Sequence, residues 1–164
     1  MQAFSALYAG NSNLRLIVIG HFEDDLDPIS AAAREIFTTH PGIIHFDWSN
    51  DVEYFMNLAH IMVHASYREG FSNTLLQAGA MNCPIVCSAI DGNVDIVTDR
   101  ETGILFQPGN TEDLTSKLSK ALADLSVMKK YAEHLRVKVE NNFSQPFVHK
   151  CLKEKYLELL ANTG

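Results

Sequence analysis

The sequence is short of several things, and each shortage removes a class of protein. Cysteine is sparse and odd in number, three in 164 residues: Cys83, Cys87 and Cys151. That set offers no disulfide framework, so the thiols are read as reduced and partly buried in a cytosolic protein. No apolar run approaches the roughly 18 residues a membrane-spanning helix needs. Positive charge is scarce too: 13 Lys and Arg against 20 Asp and Glu leave a formal net charge of -7. Nonspecific nucleic-acid binding runs on phosphate neutralisation and is not expected here, though a local basic pocket for a small anion is compatible with this balance. The seven histidines show no metal-ligand spacing, so no metal site is expected. The acid-rich HFEDDLD at 21–27 reads as a solvated loop. No repeat, low-complexity tract or linker breaks the chain.

What remains is an ordinary globular composition, 46% hydrophobic and 20% charged. A chain this long buries roughly 70% of its unfolded surface, enough for one domain without a staple. Short apolar runs at residues 14–20, 42–46, 61–66, 84–88 and 103–106 read as strands. Between the first four lie helical patterns: DPISAAAREIFTTH, with Asp27 as N-cap and Pro28 at the first helical position, NDVEYFMNLAH, and the stretch after residue 72. Near-continuous apolar strands alternating with helices imply a doubly wound, Rossmann-like α/β fold. Its parallel sheet should have about five or six strands, with helices on both faces. After the last strand, Asn110 caps a helix with Glu112 and Asp113 in its first turn, and two further helices, near 127–141 and 146–161, close the chain. Phe147, Cys151, Leu152, Tyr156, Leu159 and Leu160 line one side of the last helix, and core packing is the default expectation for them. The opening MQAFSALYAGNSN reads as a helix tail stopped at Gly10. Such folds usually open on a strand, so a further strand and a partner domain are expected upstream.

The stretch SYREGFSNTLLQAGAMNCPIV, residues 66–86, holds the candidate site. In open parallel sheets ligands bind beyond the carboxyl ends of the strands, which places residues 66–72 at the binding edge, leading into a helix. A helix mouth offers unpaired amides and partial positive charge, suited to an anion such as a diphosphate. Gly70 lets the backbone approach closely, and the amides of Phe71, Ser72, Asn73 and Thr74 are candidate donors. Glu69 would repel a phosphate beside it. It makes sense facing the hydroxyls of an attached sugar, which give a carboxylate charge-assisted bonds. Gln77, eight residues on, lies at most about 12 Å along the helix, within reach of a ribose. Arg68 reads either as an exposed loop residue or as an offset to diphosphate charge. Ala78 and Gly79 read as small residues for close packing on the sheet.

Ser66, Glu69, Gly70, Phe71, Ser72, Ala78, Pro84, Ile85 and Val86 together resemble the donor-binding motif of retaining, two-domain glycosyltransferases that use nucleotide sugars. The resemblance extends through HFDWSNDVEYFMNLAHIMVHAS before the motif and IDGNVDIVTDRETGILFQPGNTEDL after it, about residues 12–125 in all. It implies that residues 1–164 are one half of a GT-B fold, the donor-nucleotide domain, with an N-terminal acceptor domain upstream. By resemblance Glu69 contacts the donor sugar and positions the leaving diphosphate, Phe71 to Thr74 offer amides, and Gln77 holds the ribose. Residues around Phe46 and Asp47 meet the base, and Asp91, Gly92 and Asn93 lie near the phosphates. The implied donor is a UDP-sugar, with neither cofactor nor metal. The wording SYREGFSN is closest to bacterial surface-polysaccharide members acting on lipid-linked acceptors. The resemblance therefore implies a cytoplasmic enzyme, peripheral at the inner membrane face through the missing domain. Two departures stand out. The family's second acid is Gln77 here, which costs charge assistance worth about 1 kcal/mol, and the family's basic diphosphate pair has no match. The isolated domain is expected to turn over nothing. A non-catalytic nucleotide-sugar-binding module and a related sugar-nucleotide epimerase share the architecture and stay open.

Overall fold

The computed structural model describes residues 1–22 and 28–161. Along them run α1 (Gln2–Gly10), β1 (Leu16–Ile19), α2 (Ala31–Thr39), β2 (Ile43–Phe46), α3 (Val52–Leu58), β3 (Met62–His64), α4 (Asn73–Ala80), β4 (Ile85–Ser88), α5 (Asn93–Ile96), β5 (Ile104–Phe106), α6 (Thr111–Ala123), α7 (Leu125–Asn142) and α8 (Gln145–Ala161). Every strand pair is parallel, with Ile17 opposite Ile44, Val63 opposite Val86 and Cys87 opposite Leu105. The five strands occur where the sequence places them, but they bond as two sheets, β1–β2 and β3–β4–β5, rather than one. Among the described residues no ladder bond joins the two.

β4 shows why the chain is double-layered. All four of its residues are buried, and alternate side chains point to opposite faces. Ile85 and Cys87 join Leu75 and Ala78 of α4 and Leu135 and Val139 of α7 in one core cluster. Val86 turns the other way, to Phe106, Leu118, Ala121 and Met128. Full burial of a side chain such as Leu75 stabilises the fold by roughly 1.5–3 kcal/mol. Gly79 allows α4 and α7 to touch: a Cβ there would lie 2.8 Å from Val139 Cγ2 and 3.0 Å from Leu135 Cγ. The small residues of α4 therefore serve contact with a helix as well as with the strands. α1 spans the two sheets. Phe4 and Tyr8 pack on His40 at 5.2 and 4.6 Å, while Leu7 packs against the Val86 cluster.

Several element ends differ from the sequence reading. α2 starts at Ala31 because the Ser30 hydroxyl accepts from the Ala33 amide at 3.2 Å. Asp27, expected as its cap, lies outside the described residues. α1 ends one residue later than expected, with Asn11 beyond Gly10 returning its amide to Leu7 and Tyr8 carbonyls. Residues 93–96 form the short α5, which the sequence reading did not include. α7 starts at Leu125 because Asp124 caps it, accepting from Val127 at 3.1 Å. Asn110 caps α6 as expected, accepting from Asp113 at 2.9 Å. α8 buries none of its residues, so the expectation that its apolar side packs into the core is not met. Phe147, Leu152 and Tyr156 remain exposed.

Candidate functional site

β3 ends at His64, and residues 65–72 carry the chain from the strand's carboxyl end to the mouth of α4. Ser72 begins that helix. Its buried hydroxyl accepts from the Leu75 amide at 3.3 Å, the arrangement a serine N-cap provides. The amides of Phe71, Ser72, Asn73 and Thr74 meet no acceptor among the described residues. Four donors thus stand unpaired at and just before the positive end of a helix dipole. At Gly70 a Cβ would meet nothing within 4 Å, so the backbone there borders open space.

The neighbouring loop closes on this mouth through a glycine whose substitution would be strained. Gly92 has φ +81°, and a Cβ on it would sit 2.8 Å from the Glu69 carbonyl and 2.9 Å from that of Gly70. Its backbone therefore packs directly on the site loop. A buried polar chain secures the same junction. The Asn93 amide nitrogen donates to the Ser88 carbonyl at 3.0 Å, and the Ser88 hydroxyl donates to the Ser66 carbonyl at 2.7 Å. Asn93 was expected near a ligand. It is fully buried, and its side chain fixes the loop from behind.

Glu69 is already partnered within the loop. Its side chain is 30% exposed, and its Oε1 accepts from the Ser66 hydroxyl at 2.8 Å. His64 Nε2 lies 3.2 Å from the same oxygen and 3.3 Å from the hydroxyls of Ser66 and Ser72. The carboxylate is thereby held by partners at its back, beside the open amides. Sequence reasoning missed His64 and Ser88. Their signal was position: both are the last residues of adjacent strands, β3 and β4, at the binding edge.

The other expected residues fall into two groups. Arg68, Asp91, Asn73 and Gln77 are exposed around the mouth. Asn73 and Gln77 are four apart and so share one face of α4. Phe71 turns its ring to Phe143, the residue that follows α7, 5.5 Å away, leaving its amide as its contribution. Phe46 and Asp47 lie at the end of β2. Phe46 packs on Phe55 at 5.1 Å, and the exposed Asp47 is 3.6 Å from His45 Nδ1. His45 Nε2 in turn approaches the Gly20 carbonyl at 2.8 Å, tying β2 to the end of β1.

A cleft of about 100 Å³ opens beside the site at the ends of β3, β4 and β5, bounded by Ser66, Tyr67, Ser88, Pro108 and Gly109. Its Pro108–Gly109 wall was not foreseen, although the turn directly follows β5 at the edge where ligands bind. A larger cavity, about 310 Å³, includes Ile104, the first residue of β5, together with Lys117, Lys120 and Tyr131 of α6 and α7. It lies at the amino end of that strand, and no expected site residue borders it. Among the described residues no group of three or more His, Cys, Asp or Glu could hold a metal ion, and no helix is long and apolar enough to cross a membrane. Cys83 and Cys87 are buried and Cys151 is exposed. Burial pushes the Cys83 thiol up to about 11, and burial with the nearby Asp99 charge pushes Cys87 up to about 12.

Comparison with known proteins bears on this geometry. The family of glycosyl transferases group 1 matches residues 1–138. The capsular polysaccharide biosynthesis glycosyltransferase CapM of Staphylococcus aureus is 27% identical over 163 residues, covering 99% of this chain and 43% of that protein. A glycosyltransferase structure from Rickettsia africae ESF-5 superposes with a TM-score of 0.85 at 24% identity, over 98% of this chain and 43% of that one. HepE from Anabaena, solved in complex with UDP-glucose, superposes with a TM-score of 0.82 at 17% identity, over 95% and 44% of the two chains. The chain spans less than half the length of these curated relatives and structures.

Proposed function

The chain belongs to the group 1 glycosyl transferases, and from that premise we propose that it is the donor-binding half of a retaining, two-domain enzyme. The full protein would transfer a sugar from a UDP-sugar to a polysaccharide or lipid-linked acceptor. The observation that carries this reading is the pairing at the mouth of α4: four unpaired amides next to a carboxylate held by Ser66 and His64. The amides of Phe71, Ser72, Asn73 and Thr74 take the diphosphate. Glu69 takes the sugar hydroxyls, Gln77 the ribose, and the Phe46–Asp47 end of β2 the base. Arg68, Asp91 and Gly92 frame the phosphates. No metal or cofactor takes part, since a helix mouth supplies the positive field.

The split sheet supports a second part of the proposal. In the doubly wound strand order 3-2-1-4-5-6 the first strand is central. A strand immediately before α1 would take that place, joining β1 on one side and β3 on the other, and α1 already spans both sheets. An acceptor domain preceding it would carry the missing basic groups and place the protein at the inner membrane face, where lipid-linked acceptors reside. CapM acts in capsular polysaccharide biosynthesis by its name, which fits a bacterial envelope role.

The test is titration of the 164-residue chain with UDP and UDP-glucose, followed by calorimetry and backbone NMR. Shifts should concentrate at residues 66–74 and at Gly92, and Glu69→Ala should remove whatever UDP-glucose gains over UDP. Shifts confined to the cavity between α6 and α7, or a Glu69→Ala protein that binds like wild type, would overturn the assignment. A non-catalytic binding module gives the same titration. In a longer chain carrying the acceptor domain, loss of transfer in Glu69→Ala separates the enzyme from it.

A further inference from the structure

We propose that His64 is a positioning residue for Glu69, a role that rests on the reading of Glu69 as the sugar-facing group. The argument begins with protons. His64 Nε2 has three oxygens around it: Glu69 Oε1 at 3.2 Å and the hydroxyls of Ser66 and Ser72 at 3.3 Å each. An ionised carboxylate only accepts, and it is the strongest acceptor of the three. The arrangement is satisfied when Nε2 carries the proton. A ring protonated only at Nδ1 would set its lone pair against the carboxylate.

With Nε2 as donor the rest of the network follows. Ser66 gives its hydroxyl proton to Glu69 Oε1, and its lone pairs are free to face the ring. Ser72 Oγ accepts from the Leu75 amide. His64 is the last residue of β3, paired with Cys87 on the fully buried β4, and its side chain is only 15% exposed. The ring therefore fastens the carboxylate to a strand paired with the buried β4 and, through Ser72, to the cap of the helix at the site. Glu69 Oε1 is occupied by these partners. Oε2 has none among the described residues and is the oxygen left for a sugar hydroxyl. Holding the acid in advance removes an ordering cost when the donor binds. A hydrogen bond from the ring also draws negative charge towards Oε1, away from the diphosphate.

Wild type, His64→Leu, His64→Gln and Glu69→Ala are titrated with UDP and with UDP-glucose, and the ratio of the two affinities is the readout. Wild type should prefer UDP-glucose, and Glu69→Ala should lose that preference. His64→Leu should lose at least fivefold of it while its affinity for UDP moves far less. His64→Gln, whose amide nitrogen reaches the place of Nε2, should recover most of it. A His64→Leu protein that keeps the preference while Glu69→Ala loses it would overturn the positioning role alone. No preference in wild type, or none lost in Glu69→Ala, would sink the underlying reading and this role with it. Long-range ¹⁵N NMR of the ring reads the geometry without any ligand, and serves if His64→Leu does not fold. The Nε2–H tautomer with a resonance that moves in Glu69→Gln is expected; the Nδ1–H tautomer would refute the proposal.

Discussion

Gly92 is the single position where backbone angle and space agree most firmly. Its φ of +81° is costly for any side chain, and a Cβ would press on two carbonyls of the site loop. Gly92→Ala should therefore lose roughly 1–3 kcal/mol of stability, read from urea unfolding. It should also weaken UDP binding, because relief of the clash moves Glu69 and Gly70. Glycine in a loop after a strand was visible in the sequence, and the resemblance gave it a place near phosphates. Its contact with the Glu69 carbonyl was not, because that depends on how two loops distant in sequence come together. The same holds for Asn93 and His64. A residue type says what a side chain can do, whereas burial decides whether it reaches a ligand or braces one.

At the scale of elements, caps and strands were legible because their signals are local. Asn110 followed by Glu112 and Asp113 announces a helix start, and Asn110 does accept from Asp113. Asn110→Ala should cost about 1 kcal/mol in thermal denaturation. Elsewhere the local signal was placed too early. Asp27-Pro28 promises a helix start, whereas Ser30 caps the helix observed. α8 was legible as a helix but not as an unburied one. Its apolar residues have helical spacing, which tells that they share a side and not what that side meets. The pairing of five strands into two sheets was illegible for a similar reason: the runs of apolar residues specify strands, while neighbours in a parallel sheet are set by crossovers.

For the molecule as a whole, the two buried thiols make an alkaline limit. Each has a folded-state pKa raised above the ordinary 9.0. The folded chain therefore holds protons that the unfolded chain releases, and its stability must fall as pH rises through that window. The thiols' contribution should be level below pH about 9 and decline towards about 12, by a few kcal/mol in all. Urea midpoints taken from pH 8 to 11 check this, and Cys87→Ala should flatten the slope. A slope identical in that variant would assign the loss to other groups.

The interruption between β1–β2 and β3–β4–β5 also governs how the chain behaves in a tube. Terminal strands with unsatisfied ladder groups are templates for pairing with another molecule, and Ile17, Ile44 and Val63 leave apolar surface on these strands. Concentrated samples should creep towards oligomers that grow with time, and dilution early in a purification would slow them. A short peptide of strand-forming sequence could act as a plug for these edges, turning a handling nuisance into a means of controlling assembly.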